Sequence, residues 1–366
     1  MANVNLFDYI NAKEIAAYVK ENPINKEPYF AETLFPSRTS MGTDISWLKG
    51  ANGLPVALQP SEYDVKARMR EKEGFEAVAT EMAFFREAMR IGEKDRQQLN
   101  LLLAHPDNTV ALPLIRKIFD EAARLIEGAR VQAEIMRCQL MVDGKIDVAS
   151  ADGRAHYVYD YGMTNLYKAV RAAWLPASKT TADPVRDLID ICDDMELKTG
   201  IRPSRAVMNR NTFLNMINCD TVQKMMYPDD STMHYFVSEQ QKKSFIEQVT
   251  GVSIYVYSKK FGKLDHTTGL AHATEQVTLI PDNKVVLMPS GNLGNTVYGT
   301  TPEASDLMSG TDAQVAQAAY GTTVTTFKEK HPVQVVTVVS CVMIPSFEAI
   351  DNCAVIDVSD KAAIGA

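Results

Sequence analysis

The residues of this chain that could do chemistry by type and spacing are few, and each set lacks the arrangement its chemistry needs. His266 and His272 flank Gly269 and are the closest histidine pair. Zinc takes convergent tetrahedral ligands, yet no cysteine pair or HExxH helix lies near them, so they read as surface-loop histidines. Asp190, Asp193, Asp194 and Glu196 crowd one helix, where a metal or acid–base role is conceivable. Successive helix positions point in different directions, so a solvated charged face is the better reading. Cys192 would need a general base to act as a nucleophile; it falls on the apolar side of the same helix. Gly291-Asn292-Leu293-Gly294, with Gly299 beyond, looks like a phosphate loop. It lacks the nucleotide-motif spacings, and no helix follows it to aim amides at a phosphate, so a turn is expected. No Ser or Thr sits in a nucleophile elbow.

Lys66, Arg68, Arg70 and Lys72 alternate along one stretch and could touch DNA or an acidic partner. At the tip of an extended ribbon they are more simply an exposed contact between subunits. No constellation amounts to an active site, and neither catalysis, a metal nor a cofactor is expected. The parts that would have to position such residues are instead suited to making contacts.

The largest of these is Leu112 to Met141. Ile115, Ile118, Phe119, Ala122, Leu125, Ile126, Ala129, Ala133, Met136 and Leu140 recur at helical spacing, and thirty residues at about 1.5 Å each would reach roughly 45 Å. Opposite this stripe, Arg116, Asp120, Arg124, Glu127, Arg130, Glu134 and Arg137 alternate in sign, as on a solvated or subunit-facing surface. Asp143-Gly144 supplies a left-handed stop. Before it, Ala12 to Lys20 predicts a short amphipathic helix, an arm ended ahead of Pro23. From Phe30 to Ile91, Gly and Pro punctuate extended pieces such as Thr43–Leu48 and Val78–Phe85. Such a two-stranded ribbon is marginal alone in water and must pack on something else, here a neighbouring subunit.

After the long helix, Tyr157, Tyr159, Tyr161, Tyr167 and Trp174 form an aromatic group. Asp183 as N-cap, Pro184 at the first position and Gly200 past the last turn bound a helix. Ser238 with Gln241 is a capping box for another, ended by Gly251. Val277–Ile280, Pro281-Asp282-Asn283 and Lys284–Met288 read as a hairpin. Val333–Ile344 is the strongest strand and is expected to return over the long helix; a last strand lies near Ala354–Val358.

Composition agrees with a folded body: 366 residues, 46% hydrophobic and 23% charged. No apolar run suits a membrane helix, and Met1–Asp8 lacks signal-peptide character. Five widely spaced cysteines suggest buried free thiols in a reducing cytoplasm. A net charge of -8 opposes tight nucleic-acid binding.

In this order of elements the chain resembles the lambda-type major capsid protein E family of tailed bacteriophages. The carriers are Tyr29-Phe30-Ala31-Glu32, the charged long helix ending at Gly144, Gly251-Val252-Ser253-Ile254-Tyr255-Val256-Tyr257, Leu279-Ile280-Pro281-Asp282-Asn283-Lys284-Val285-Val286-Leu287, and Tyr298-Gly299. The resemblance implies an α+β fold, the one shared by tailed-phage, herpesvirus and encapsulin capsids. Its parts would be an N-terminal arm (1–30), an extended E-loop ribbon (31–92), a peripheral domain (93–180) with a spine helix (112–141), an axial domain (181–330) and closing strands returning to the peripheral domain (331–366). Trp47, Lys66, Arg68, Arg70, Lys72 and Phe84 would make E-loop contacts between subunits, and Ile115, Phe119, Leu125, Ala129 and Met136 would pack the spine helix. The implied function is structural: hexamers and pentamers of an icosahedral phage head, assembled in the bacterial host cytoplasm as a procapsid that expands on packaging double-stranded DNA. The implied partners are copies of itself, a separate scaffolding protein, a portal, a decoration protein such as relatives often carry, and weakly held DNA, with no membrane. Two alternatives are an encapsulin-like compartment and a cytosolic α/β enzyme built on residues 181–330.

Overall fold

A computed structural model describes residues 11–22, 27–42, 44–49, 76–93, 97, 101, 112–150, 155–166, 168–227, 237–265, 272–306, 313–331 and 333–359. The α-helices are α1 (Ala12–Glu21), α2 (Phe30–Leu34), α3 (Leu112–Asp143), α4 (Pro184–Thr199), α5 (Arg210–Ile217), α6 (Asp220–Met226), α7 (Glu239–Thr250) and α8 (Pro302–Asp306). The strands are β1 (Ser37–Thr39), β2 (Asp44–Lys49), β3 (Glu76–Glu81), β4 (Ala83–Ile91), β5 (Lys145–Ala149), β6 (His156–Asp160), β7 (Lys168–Ala169), β8 (Arg205–Met208) and β9 (Ser253–Val256). They continue with β10 (Lys260–Asp265), β11 (His272–Thr278), β12 (Lys284–Met288), β13 (Thr296–Tyr298), β14 (Ala313–Gln317), β15 (Thr322–Lys330), β16 (Val333–Pro345) and β17 (Ala354–Asp357).

Two compact units result. The first takes in residues 1–46, 79–134 and 295–346. Its six-stranded sheet has the order β1-β13-β16-β15-β14, with β4 paired to β16. β16 is rich in β-branched residues, and its Val335 and Val339, with Val324 of β15, pack with Ile118, Ala122, Ala123 and Ile126 of α3. The returning strand therefore covers the long helix as its pattern predicts. Residues 12–20 are no free arm. Asn11 caps α1 by accepting from the Glu14 amide at 2.9 Å, and Ala12, Ile15 and Val19 enter the same core. Spaced three and four residues apart, they form a stripe, and leaving Ile15 and Val19 in water would cost about 1.5–3 kcal/mol each. Tyr18 adds a hydrogen bond to Asp120 Oδ1 at 2.6 Å.

The second unit takes in residues 47–78, 135–294 and 347–366. Its five-stranded sheet has the order β7-β17-β12-β8-β9. β12 is antiparallel to β17 and β8, while β8 and β9 are parallel. Trp174, Leu188, Cys192, Met195, Phe213, Met216, Ile246, Leu287 and Ile356 share its core, and the Trp174 indole donates to the buried Asp187 carboxylate at 3.0 Å. α4 begins at Asp183, whose side chain accepts from the Arg186 amide at 3.2 Å, and α7 begins at the Ser238–Gln241 capping box. α3 stops at Gly144, with φ 65°; a Cβ there would also sit 2.5 Å from Met163 Cβ, so glycine is required twice over.

Further placements differ from the sequence reading. The turn at Asp282-Asn283 is real, with Asn283 at φ 60°, but its flanks form no hairpin: β11 pairs with β10, and β12 with β17 and β8. The turn is held from outside, by Asn209 on Asp282 and by the Thr212 hydroxyl on the Asn283 amide. Residues 295–330 belong with the first unit rather than with 181–294, because β13 and β15 both pair with β16. Finally, β17 leaves β16 behind and joins the second sheet. Ala354, Val355 and Ile356 are all fully buried, which calls for a strand with both faces covered.

Lys284 and Asp357 face each other across β12 and β17, Nζ to Oδ2 at 2.7 Å. Burial alone would push the Asp357 carboxyl up, but the Lys284 ammonium and the Ser359 donors outweigh it and hold the carboxyl below its ordinary value. A carboxyl depressed in the folded state stabilises above its unfolded pKa and loses that contribution as pH falls through the folded one. Thermal stability should thus decline as pH drops below about 4, and Lys284→Met should make that acid limb shallower in calorimetry. An acid limb of unchanged slope in the variant would rule out this pair as a contributor.

Candidate assembly surfaces

The charged face of α3 is exposed at Arg116, Asp120 and Arg124, as its pattern predicts. Further along it is buried: Arg130 is 4% exposed, Glu134 0% and Arg137 1%. Residues 27–35 cover Arg130 and Glu134. Arg130 donates through Nε and Nη2 to Glu32 Oε2 at 3.1 and 2.8 Å, and through Nη2 to the Glu27 carbonyl at 3.3 Å. Tyr29 donates its hydroxyl to Glu127 at 3.0 Å, and the Ala31 amide donates to Glu134 Oε1 at 3.0 Å. The Arg130 guanidinium also lies 5.0 Å from the Tyr29 ring centre and 4.7 Å from that of Tyr320. Burial works against its charge, yet Glu32 outweighs burial and Arg130 holds its proton more firmly than usual. A sequence-distant segment is thereby clamped onto the helix by charge-assisted bonds.

From this clamp the chain runs into a ribbon. β1 lies parallel to β13, and beyond it, among the described residues, β2 pairs with β3. The returning chain becomes β4, paired with β16 from Ala83↔Met343 to Ile91↔Val335. Arg86 on β4 reaches the buried Glu303 of α8, stacks 4.7 Å from the Phe84 ring centre, and shares Glu303 with the Ser340 hydroxyl, which donates at 2.8 Å.

Of the residues named from sequence as subunit contacts, Phe84 is half-buried on β4; Lys66, Arg68, Arg70 and Lys72 lie outside the described residues, as does the side chain of Trp47 in β2. Ile115, Phe119 and Leu125 pack, partly buried, against the α1–β16 core, Ala129 is half-buried and Met136 fully buried.

The chemical candidates disperse. Asp190 pairs with Arg171, Asp193 and Glu196 with Arg202, and Asp194 with Lys198 at 2.8 Å and Lys168 at 3.3 Å; the carboxylates that could have met at a metal each face a cation. Lys198 holds the Asp194 carboxyl below its ordinary value. His266 lies outside the described residues, and among them no group of three or more metal-ligating side chains gathers. The Gly291 loop is pinned by Arg205, which donates to the Pro289 and Gly291 carbonyls at 2.9 and 2.6 Å. All five cysteines are buried and none is in a disulfide, and burial pushes the Cys192 thiol up to about 11 and the Cys219 and Cys341 thiols up to about 12, which makes them poor nucleophiles. Of the aromatic residues, Tyr157 and Tyr159 stack on β6 at 6.2 Å, Trp174 lies in the second unit's core, and Tyr167 falls outside the described residues. No helix among the described residues is long and apolar enough to cross a membrane.

Residues 11–357 match the family described as phage major capsid protein E. The chain belongs to that family. Its members are structural proteins of the phage head shell and not enzymes, so the reading of residues 181–330 as a metabolic enzyme is set aside. Among solved structures, a protein assigned as the capsid protein of an E. coli prophage is 14% identical, with a TM-score of 0.59, over 96% of this chain and 99% of that one. A phage-related protein from Bordetella bronchiseptica is 12% identical, with a TM-score of 0.48, over 97% and 98%. The virus-like particle of Pyrococcus furiosus is 10% identical, with a TM-score of 0.43, over 96% and 100%. No curated protein matches. The likeness to the E. coli protein shows this capsid protein's fold, an α+β phage-capsid fold.

The sequence reading missed Glu32, Arg130 and Glu134 as a joined set. One signal was present: Glu32 stands three residues after Tyr29, and its carboxylate accepts from the Tyr29 amide at 3.2 Å, so the start of a helix was marked though its partner was not. Removing one member of a buried pair strands the other, at a cost of about 3–5 kcal/mol. Arg130→Met should therefore lower stability by about 3 kcal/mol in chemical denaturation, and adding Glu32→Gln should recover much of that loss. Additive losses in the double variant would show that the pair does not act as one.

Proposed function

We propose that copies of this chain assemble as hexamers and pentamers into an icosahedral head shell around double-stranded DNA, first as a procapsid that expands on packaging. The observation that carries this reading is the family match across residues 11–357, with a ribbon, β2–β3, whose strands, among the described residues, pair with each other. On this reading β2–β3 and the residues between them are the E-loop that reaches a neighbouring copy. The first unit is the peripheral domain with α3 as its spine, and the second is the axial domain. Assembly takes place in the bacterial host cytoplasm, with a separate scaffolding protein, a portal and, on the finished shell, a decoration protein as further partners.

Charge supports the DNA-containing shell. At a net charge of -8, a lining made of this protein would hold packaged DNA weakly, whereas a basic lining would bind phosphates strongly. An encapsulin-like compartment would share the fold and differ in contents, so nucleic acid or protein cargo in purified particles separates the two.

Deleting residues 52–74 should leave soluble, folded protein that forms no shells in negative-stain microscopy, under conditions in which the wild type forms them. Normal particles from the deletion would refute the ribbon as an intersubunit contact.

A further inference from the structure

We propose that Gly299 is a positioning residue for assembly: its bare Cα is the seat on which both roots of the ribbon rest, and the spacing of those roots governs where the ribbon can reach. This rests on the ribbon reading above. The outgoing root tracks β13. Thr39 lies beside Tyr298, the Ser40 amide donates to the Tyr298 carbonyl at 2.8 Å, and the Thr300 amide donates to the Gly42 carbonyl at 3.1 Å. The returning root is Met82, 2% exposed, followed by Ala83 in register with Met343. Gly299 lies between them, its amide donating to the Val342 carbonyl at 2.9 Å.

A Cβ built on Gly299 would lie 2.6 Å from the Gly42 carbonyl oxygen, 2.9 Å from Met82 Cε and 2.9 Å from Val342 Cγ1. Methionine is flexible and could yield. The Gly42 oxygen could not, because it is backbone held by Thr300, and relieving that contact means moving the outgoing root. Gly42 itself is glycine for a different reason. Its φ is 96°, while a Cβ there would meet nothing within 4 Å; the constraint is dihedral alone. One glycine thus supplies space and the other the bend, and together they seat the outgoing root.

The experiment compares full-length Gly299→Ala, Gly42→Ala, Met82→Ala and the double variant Gly299→Ala with Met82→Ala, by circular dichroism, Tm and negative-stain measurement of particle yield and diameter. Gly299→Ala should keep the wild-type circular dichroism spectrum and lose shells of wild-type diameter, and the double variant should stay defective because the Gly42 carbonyl still blocks. Restoration of shells by the added Met82→Ala would overturn the proposal, leaving Gly299 as ordinary core packing. Should Gly299→Ala fail to fold, Gly42→Ala decides: it alters the outgoing root without crowding the core, and wild-type shells from it would overturn the proposal. If deletion of 52–74 also leaves shells intact, the ribbon reading has failed; if that deletion abolishes shells while both glycine variants assemble normally, only the seat has failed.

Discussion

Arg130 carries a full charge with 4% of its surface in water, and a guanidinium so placed needs a carboxylate within reach. α3 meets this need from outside itself: Glu127 is its near neighbour, but both Nε and Nη2 donate to one carboxylate oxygen of Glu32. The middle of α3 can stay covered only while residues 27–35 lie along it. That placement then carries forward residue by residue. Phe35 is fully buried, its carbonyl accepts from the Thr296 hydroxyl at 3.1 Å, and the Thr296 amide donates to the Pro36 carbonyl at 2.9 Å. β1 follows at once against β13. The outgoing half of the ribbon is therefore aimed by an ion pair on the long helix.

The returning half is aimed by β16. This strand pairs with β15 along one edge and β4 along the other, and it also carries β13 at its end. Both roots of the ribbon thus finish on two adjacent strands of one sheet. Beyond the roots, among the described residues, β2 and β3 pair with each other, and a two-stranded ribbon is marginal in water. If the ribbon reaches a neighbouring copy as proposed, a base fixed at both roots would let it dock without the body unfolding.

What could be read from the sequence divides by the distance over which each signal acts. α4 is bounded by Asp183, Pro184 and Gly200, all within or beside it, and the structure places its ends there. The long helix and β16 were legible because periodicity and β-branching run through the whole of each element. The burial of Arg130 was not, since its partner stands 98 residues away and an alternating charged face has the same pattern whether water or a carboxylate covers it. Asp282-Asn283 teaches the same lesson in a strand: the turn is local and was legible, but the pairing of β12 with β17 is set across 73 residues, as the Lys284–Asp357 bond shows. The role of Gly299 lay beyond the sequence as well, because a close approach by three segments leaves no mark in the residues next to it.

The surface that remains bears on how such a chain would close a shell. Among the described residues, Met41 is 98% exposed, at the outgoing root beside Gly42, and Leu197 is 88% exposed at the end of α4; most other large apolar side chains are well covered. Broad apolar faces would bind copies strongly and in many registers, whereas closed shells need contacts weak enough singly to be undone when misplaced and numerous enough to hold together. On the proposed reading, ordering a ribbon on docking would consume part of the contact energy and keep each contact modest, while a body fixed at the ribbon's roots would restrict the docking to few geometries. On that reading, affinity and accuracy would be set by different parts of the molecule: affinity by what the ribbon touches, accuracy by the seat from which it leaves.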